Sequence, residues 1–193
     1  MYAAGDRVIS ASGDNALMLK GALVGLEPLQ STDEIAVFRW LNDPRVRRAA
    51  GRPTWKACYS LEQVQDIIKD RLAQASRFDL LVLGLPQEIP LGLVEITHLH
   101  PMSDSAQITL IWGEDENEDG MKEALLLSTR YMFDSQGIHR LWTRVPGENA
   151  SVFKAFGNAG FLKEGVMRED HFNSGEWRDS LLLALLSSEV QRC

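Results

Sequence analysis

Four groups of residues carry side chains suited to proton transfer or to anion recognition. The run VEITHLH, residues 94–100, places Glu95, His98 and His100 on or just beyond an apolar strand. An imidazole with an ordinary pKa of about 6.5 can take a proton from an ammonium group near neutral pH, directly or through water. On a regular strand Glu95 and the two histidines lie on opposite pleat faces. A lone histidine is equally at home as a hydrogen-bonded structural residue, so both roles stay open. In GENASVFKAFGNAG, residues 147–160, Asn149 and Ser151 stand at a helix entrance, where a side-chain oxygen either caps the helix or holds a ligand.

The third group is GEDENEDGMKEALL, residues 113–126. It crowds five carboxylates, Glu114, Asp115, Glu116, Glu118 and Asp119, ahead of a helix expected to begin near Met121. One or two acids there complement the helix dipole by about 0.3–1 kcal/mol each. Five oppose the phosphate groups that strand-to-helix junctions usually bind through exposed amides. The fourth group, between Pro44 and Cys58, has Arg45, Arg47, Arg48, Arg52 and Lys56 with no acid among them. It reads either as a solvated face or as a cleft for an acidic acceptor.

The whole chain bounds what these groups can serve. At 193 residues, 45% apolar and 24% charged, it suits one soluble domain with a real core, residues 19–190, preceded by a mobile arm, residues 1–18. A net charge of −7 argues against nucleic acid as a partner. No apolar run approaches the roughly 18 residues a membrane helix needs, and the first seventeen residues lack the pattern of a secretory signal. Two cysteines, Cys58 and Cys193, build neither a zinc site nor a disulfide framework, which suits a reducing cytoplasm.

Hydrophobic periodicity supplies the elements that must position the four groups. ALVGLEPL, residues 22–29, reads as a strand. In the helix that follows, Ser31 and Glu34 have capping-box spacing and Ile35, Phe38 and Leu41 recur at helical intervals. Asn42, Asp43 and Pro44 end it, and a loop or short broken helix runs to Tyr59. Ser60 and Gln63 open a second helix with Leu61, Val64, Ile68 and Leu72 on one face. FDLLVLGL, PLGLVEITHL and AQITLIW form an antiparallel meander. A helix over 121–133 carries Met121, Leu125, Ser128 and Met132 on one side. HRLWTRV is a strand, ASVFKAFGNAG a short helix, and FLKEGVMRE and EWRDSLLLALL two last strands. Trp112, Trp142 and Trp177 are expected in the core.

Four stretches, LKGALVGLEPL, FRWLNDPRVRR, GENASVFKAFGNAGFLKEGVMRE and GEWRDSLLLALLSSE, resemble in this order the GNAT superfamily of N-acetyltransferases, and within it the RimJ/RimL-like branch, from Leu19 to Glu189. The resemblance implies an α/β fold with a central, mostly antiparallel sheet of six to seven strands and about four helices. It implies acetyl-CoA as cosubstrate, held where strands 106–112 and 139–145 splay apart, with direct attack by an amine and no metal. The family's pyrophosphate loop, Gln/Arg-x-x-Gly-x-Gly/Ala, falls on residues 117–122, where Gly120 alone keeps a glycine position, so the loop is degenerate.

By the same resemblance Ile111, Trp112, Gly120, Met121, Lys122 and Asn149 hold the coenzyme. Ser151 protonates the departing thiolate, and His98 or Glu95 serves as base, since Gln107 stands where the branch often has Glu. Trp40 and Asn42 shape the acceptor site by the resemblance, and Arg47 and Arg48 are added to it from the basic run, where an acidic acceptor would be met. The expected partner is an amine acceptor, a protein N-terminus or a small molecule, and a homodimer is possible. The rival reading is a binding or regulatory module that keeps the fold and no longer binds acetyl-CoA.

Overall fold

Strands with alternating inward residues pair edge to edge into one sheet, which organises everything else. The computed structural model describes residues 18–50, 58–100, 104–114, 117–173 and 175–190. Its strands are β1 (Leu19–Lys20), β2 (Val24–Pro28), β3 (Phe78–Gly84), β4 (Ile89–His100), β5 (Ser105–Trp112), β6 (Arg140–Pro146), β7 (Leu162–Asn173) and β8 (Glu176–Leu186). They lie in the order β1-β2-β3-β4-β5-β6-β8-β7. All pairs are antiparallel except β5 with β6. The helices are α1 (Glu34–Asn42), α2 (Pro44–Ala49), α3 (Leu61–Leu72), α4 (Glu118–Arg130, continued by a π turn, Tyr131–Ser135) and α5 (Ala150–Asn158). Among the described residues there are thus eight strands and five helices. The additions to the expected count are the two-residue β1 and α2, which occupies part of the stretch expected as a loop or broken helix.

Helices cover the sheet on both faces. On one, Leu26, Val82, Val94, Ile96 and Ile108 pack with Met121, Leu125 and Met132 of α4 and Phe156 of α5. Each such buried side chain contributes about 1.5–3 kcal/mol relative to exposure. On the other, Leu81, Leu83, Leu93 and Ile111 pack with Val37 and Trp40 of α1, Val46 of α2, and Val64 and Ile68 of α3. No residue of β6 or β8 belongs to this second core. Beyond β5, therefore, that face of the sheet is left for other uses. No described helix is long and apolar enough to cross a membrane.

The expected inner face of α4, Met121, Leu125, Ser128 and Met132, is fully buried. The helix nevertheless begins three residues earlier than expected. Asn117 caps it, accepting the Gly120 N–H at 3.0 Å through Oδ1, while its carbonyl accepts the Met121 N–H at 2.9 Å. Glu118 and Asp119 then form the first turn, where their charges complement the helix dipole. Ser60 and Gln63 make the expected reciprocal cap on α3 at 3.2 and 2.9 Å.

Three other expectations shift. A 3₁₀ turn over Ser31–Asp33 precedes α1, so Asp33 rather than Glu34 reaches back, accepting the Gln30 N–H at 2.7 Å. The buried face of α1 is Val37, Trp40 and Leu41, with Ile35 exposed, because Trp40 seats against Gly113, where even a Cβ would fall 1.8 Å from its indole nitrogen. Trp177 is 61% exposed at the far end of the β7–β8 hairpin, edge-on to Phe172 at 5.5 Å. Strand propensity placed it correctly in a strand, but this end of the hairpin has no layer above it.

Candidate active site

β5 and β6 are hydrogen-bonded only at their start, Ser105 with Arg140, Ala106 with Leu141 and Gln107 with Trp142. From there β5 stays with β4 as far as Trp112 and Gly92, while β6 stays with β8 as far as Pro146 and Ser180. Each strand keeps its outer partner and the two diverge, so the expected wedge between 106–112 and 139–145 is present.

A cavity of about 310 Å³ lies at the mouth of the wedge. Leu110, Ile111, Trp112, Met121, Asn149 and Ser151 line it, with Arg45, Val46 and Ala49 of α2 opposite. Asn149 proves to be both cap and clasp. Its Oδ1 accepts the Val152 N–H at 3.1 Å, starting α5, and its Nδ2 donates to the Ala49 carbonyl at 2.9 Å. Gly120 is buried beside Trp112, where a Cβ would approach the indole to 3.3 Å, and Lys122 is half-buried one turn into α4. Asp115 and Glu116 lie outside the described residues.

A second cavity, about 600 Å³, opens on the sheet face that the second core leaves uncovered. Glu95, Thr97 and His98 of β4, Gln107 and Thr109 of β5, and Arg144 of β6 line it, and Ala50 touches both cavities. β4 is not regular here. Its register against β5 shifts between Thr97 and His100, and His98 takes a left-handed φ of 52°. The bulge therefore turns His98 into the same cavity as Glu95 instead of onto the opposite face. His98 is exposed, with Nδ1 3.0 Å from Thr97 Oγ1. Glu95 is buried and already committed: Arg71 lies 2.5 Å and Arg77 3.2 Å from its Oε1, and both arginines also pair with Asp79. Taking up a proton would disrupt these ion pairs, which counts against Glu95 as a base.

Sequence reasoning missed His171, which lines the same cavity beside Asp170 and Ser180. Its Nε2 is 3.0 Å from Glu148 Oε1 and its Nδ1 3.2 Å from Ser180 Oγ. Neither partner is near it in sequence, so no local motif announces the group.

The expected acceptor residues are only partly brought together. Trp40 is buried beneath Gly113. Asn42 exchanges two hydrogen bonds with the Tyr59 backbone, at 3.1 and 2.7 Å, and so fastens the chain before α3. Arg47 is only 6% exposed, packed in the second core, whereas Arg48 is exposed. The two do not form one charged face, because successive residues of a helix point about 100° apart, so Val46 and Arg47 turn into the core while Arg48 turns out. His100 is exposed at the end of β4. Arg52 and Lys56 lie outside the described residues.

Residues 24–162 match the family model described as an acetyltransferase (GNAT) domain. The chain belongs to the GNAT acetyltransferase family. Its GNAT sheet is similar to that of a Vibrio cholerae spermidine N-acetyltransferase solved with CoA and spermine, at a TM-score of 0.78 and 18% identity over 86% of this chain and 97% of that one. A Bacillus anthracis GNAT-family acetyltransferase gives 0.75 and 17% over 89% and 99%. At these identities the likeness concerns the fold.

In sequence the chain is 25% identical over 100 residues to the Vibrio cholerae spermidine N(1)-acetyltransferase, 51% of this chain and 58% of that protein. It is 35% identical over 69 residues to the Escherichia coli [ribosomal protein uS5]-alanine N-acetyltransferase, 36% of each. The matched stretches thus span less than two thirds of either GNAT relative.

Proposed function

We propose that this GNAT chain transfers an acyl group, most simply acetyl, from acyl-CoA to a primary amine. The observation that carries the reading is the parting of β5 from β6 after Gln107 and Trp142, with one cavity at its mouth and a second across the sheet. A thioester entering the wedge meets an acceptor from the other side. The edge of β5 from Ile108 to Trp112 is not taken up by β6, so this stretch of the strand fronts the wedge that would receive the thioester arm. Ser151 is the proton donor to the departing sulfur, and Asn149 holds the wedge mouth in shape.

The residues fit the coenzyme at its acyl end and less well at its phosphate end. Asn117 already occupies the Gly120 N–H, and Glu118 and Asp119 are exposed on the first turn of α4. Lys154, 3.4 Å from Glu118, offsets part of that charge. Two carboxylates about 8 Å from a pyrophosphate cost on the order of 1–2 kcal/mol before screening. We therefore read the loop as degenerate and the coenzyme affinity as held down, with the amine acceptor bound beside His98 and above the Glu95 ion pairs. The relatives' names give spermidine and an alanine of a ribosomal protein as first acceptors to try. A RimJ/RimL-like placement, a cytoplasmic setting and a homodimer accord with the same reading.

The test is release of free CoA thiol from acetyl-CoA in the presence of spermidine, an alanine-initiated peptide or an amino sugar. Turnover with at least one amine is expected. Absence of both turnover and coenzyme binding would favour the rival, a GNAT-fold binding module, which the acidic first turn of α4 makes a specific alternative.

A further inference from the structure

His171 is held through both ring nitrogens, and its partners differ in kind. Asn173 donates from Nδ2 at 2.7 Å to the same Glu148 oxygen that faces His171 Nε2. Burial acts to raise the Glu148 carboxyl, but the hydrogen bonds from His171 and Asn173 outweigh it and hold it below the usual carboxylate range. An ionised Glu148 can only accept. The neutral imidazole therefore carries its proton on Nε2 and presents Nδ1 as acceptor to the Ser180 hydroxyl. Ser180 is 2% exposed and lines the acceptor cavity.

Backbone irregularity makes the convergence possible. The β7 register against β8 shifts between Met167 and His171, with Glu169 at a φ of 50° and its N–H donating to Asp179 Oδ1 at 2.9 Å. The Gly147 N–H donates to the Asp179 carbonyl at 3.0 Å, which brings the Glu148 loop beside β8. The charges around the imidazole are matched in pairs: Arg144 with Asp170 at 3.2 Å, Arg77 with Glu95, and Arg178, which stands across from His171 on β8, with Glu176 of the same strand at 2.6 Å. His98, facing the cavity from β4, has no carboxylate behind it among the described contacts.

We infer that Ser180, His171 and Glu148 form the relay that removes the proton from the attacking amine, an inference that rests on the acyltransferase reading. As the amine lone pair forms the C–N bond, the N–H proton passes to Ser180 Oγ, directly or through one water. Ser180's own proton passes to His171 Nδ1. The C–S bond breaks with its electron pair on sulfur, which takes a proton from Ser151. The imidazolium, steadied by Glu148, returns its proton to solvent and Ser151 regains one, so protons balance over the cycle.

The test joins kinetics to spectroscopy, using whichever of spermidine or the alanine-initiated peptide the wild type acetylates faster. His171→Gln and Ser180→Ala should each lower kcat by about 100-fold or more, with the acetyl-CoA dissociation constant within twofold of wild type. The acid limb of the kcat/KM profile should disappear in His171→Gln. Free imidazole should restore part of its rate. A His171→Gln enzyme within threefold of wild type in kcat, with the acid limb intact, would overturn the relay alone. Nitrogen-15 NMR of the imidazole should show the Nε2–H tautomer in the free protein and its loss in Glu148→Gln. A wild-type Nδ1–H tautomer would overturn the relay whatever the activity. A wild type that binds no acetyl-CoA would overturn the transferase reading, and the relay with it.

Discussion

Asn149 donates from Nδ2 to the carbonyl oxygen of Ala49 at 2.9 Å, joining the first turn of α5 to the last turn of α2 across the mouth of the wedge. The other end of the same amide caps α5. One side chain thus sets where β6 hands over to its helix and how far α2 stands from it. Asn149→Asp keeps the capping oxygen but replaces the donor with an oxygen facing a carbonyl. We expect it to lose about 1 kcal/mol of stability and to weaken acetyl-CoA binding, whereas Asn149→Ala should cost about 1–2 kcal/mol by removing the cap as well. Urea unfolding of the two variants distinguishes clasp from cap.

Glu123 anchors α4 to the β1–β2 turn. Its carboxylate accepts the N–H groups of Ala22, Leu23 and Val24 at 2.9, 2.7 and 2.8 Å, and Gly21 leaves room for it. Burial acts to raise this carboxyl, but the three amides outweigh it and hold it below the ordinary value of 4.5. A depressed carboxyl contributes stability above the unfolded pKa and loses it as pH falls through the folded one. Glu123→Ala should therefore cost about 1–3 kcal/mol at neutral pH, and the difference from wild type should shrink progressively below about pH 4.5. Denaturant melts across that range check the sign.

Arg47 and Arg48 should behave unlike each other despite being adjacent. Arg47→Glu places the opposite charge in the second core and is expected to cost about 3–5 kcal/mol, seen as a large drop in melting temperature. Arg48→Glu, on the surface, should stay within about 0.5 kcal/mol of wild type. Equal effects from the two would mean that Arg47 is not packed as described.

On the proposed reading, the acidic first turn of α4 holds coenzyme affinity down. Glu118→Gln with Asp119→Asn removes two charges without changing shape. We expect acetyl-CoA to bind roughly two- to tenfold more tightly at low salt, with less gain at high salt, where screening already relieves the repulsion. Helix stability should fall by a few tenths to about 1 kcal/mol, since acids near a helix N-terminus stabilise it. Calorimetry at two ionic strengths measures both the gain and its screening.

What was legible in the sequence followed from periodicity over long segments. Met121, Leu125, Ser128 and Met132 repeat at the helical interval, so the inner face of α4 could be read even though its start was placed three residues late. That start depends on Asn117 competing with the acids around it as cap, which spacing alone does not rank. The wedge came from resemblance, because nothing in the composition of β5 or β6 says that their pairing stops after Gln107. A regular strand would put His98 on the face opposite Glu95, but a bulge breaks the two-residue period, and bulges leave little trace in composition. Glu148, His171 and Ser180 were invisible for a related reason. Their contact spans a loop, a second bulge and a hairpin, and each residue alone is ordinary.

Titration of acetyl-CoA into the wild-type protein in a calorimeter tests the central claim most directly, that the parted β5 and β6 strands receive an acyl-CoA. A saturable one-to-one heat with a dissociation constant in the micromolar range, weaker at low salt than at moderate salt, is the predicted result. No heat at millimolar acetyl-CoA at any ionic strength would contradict it.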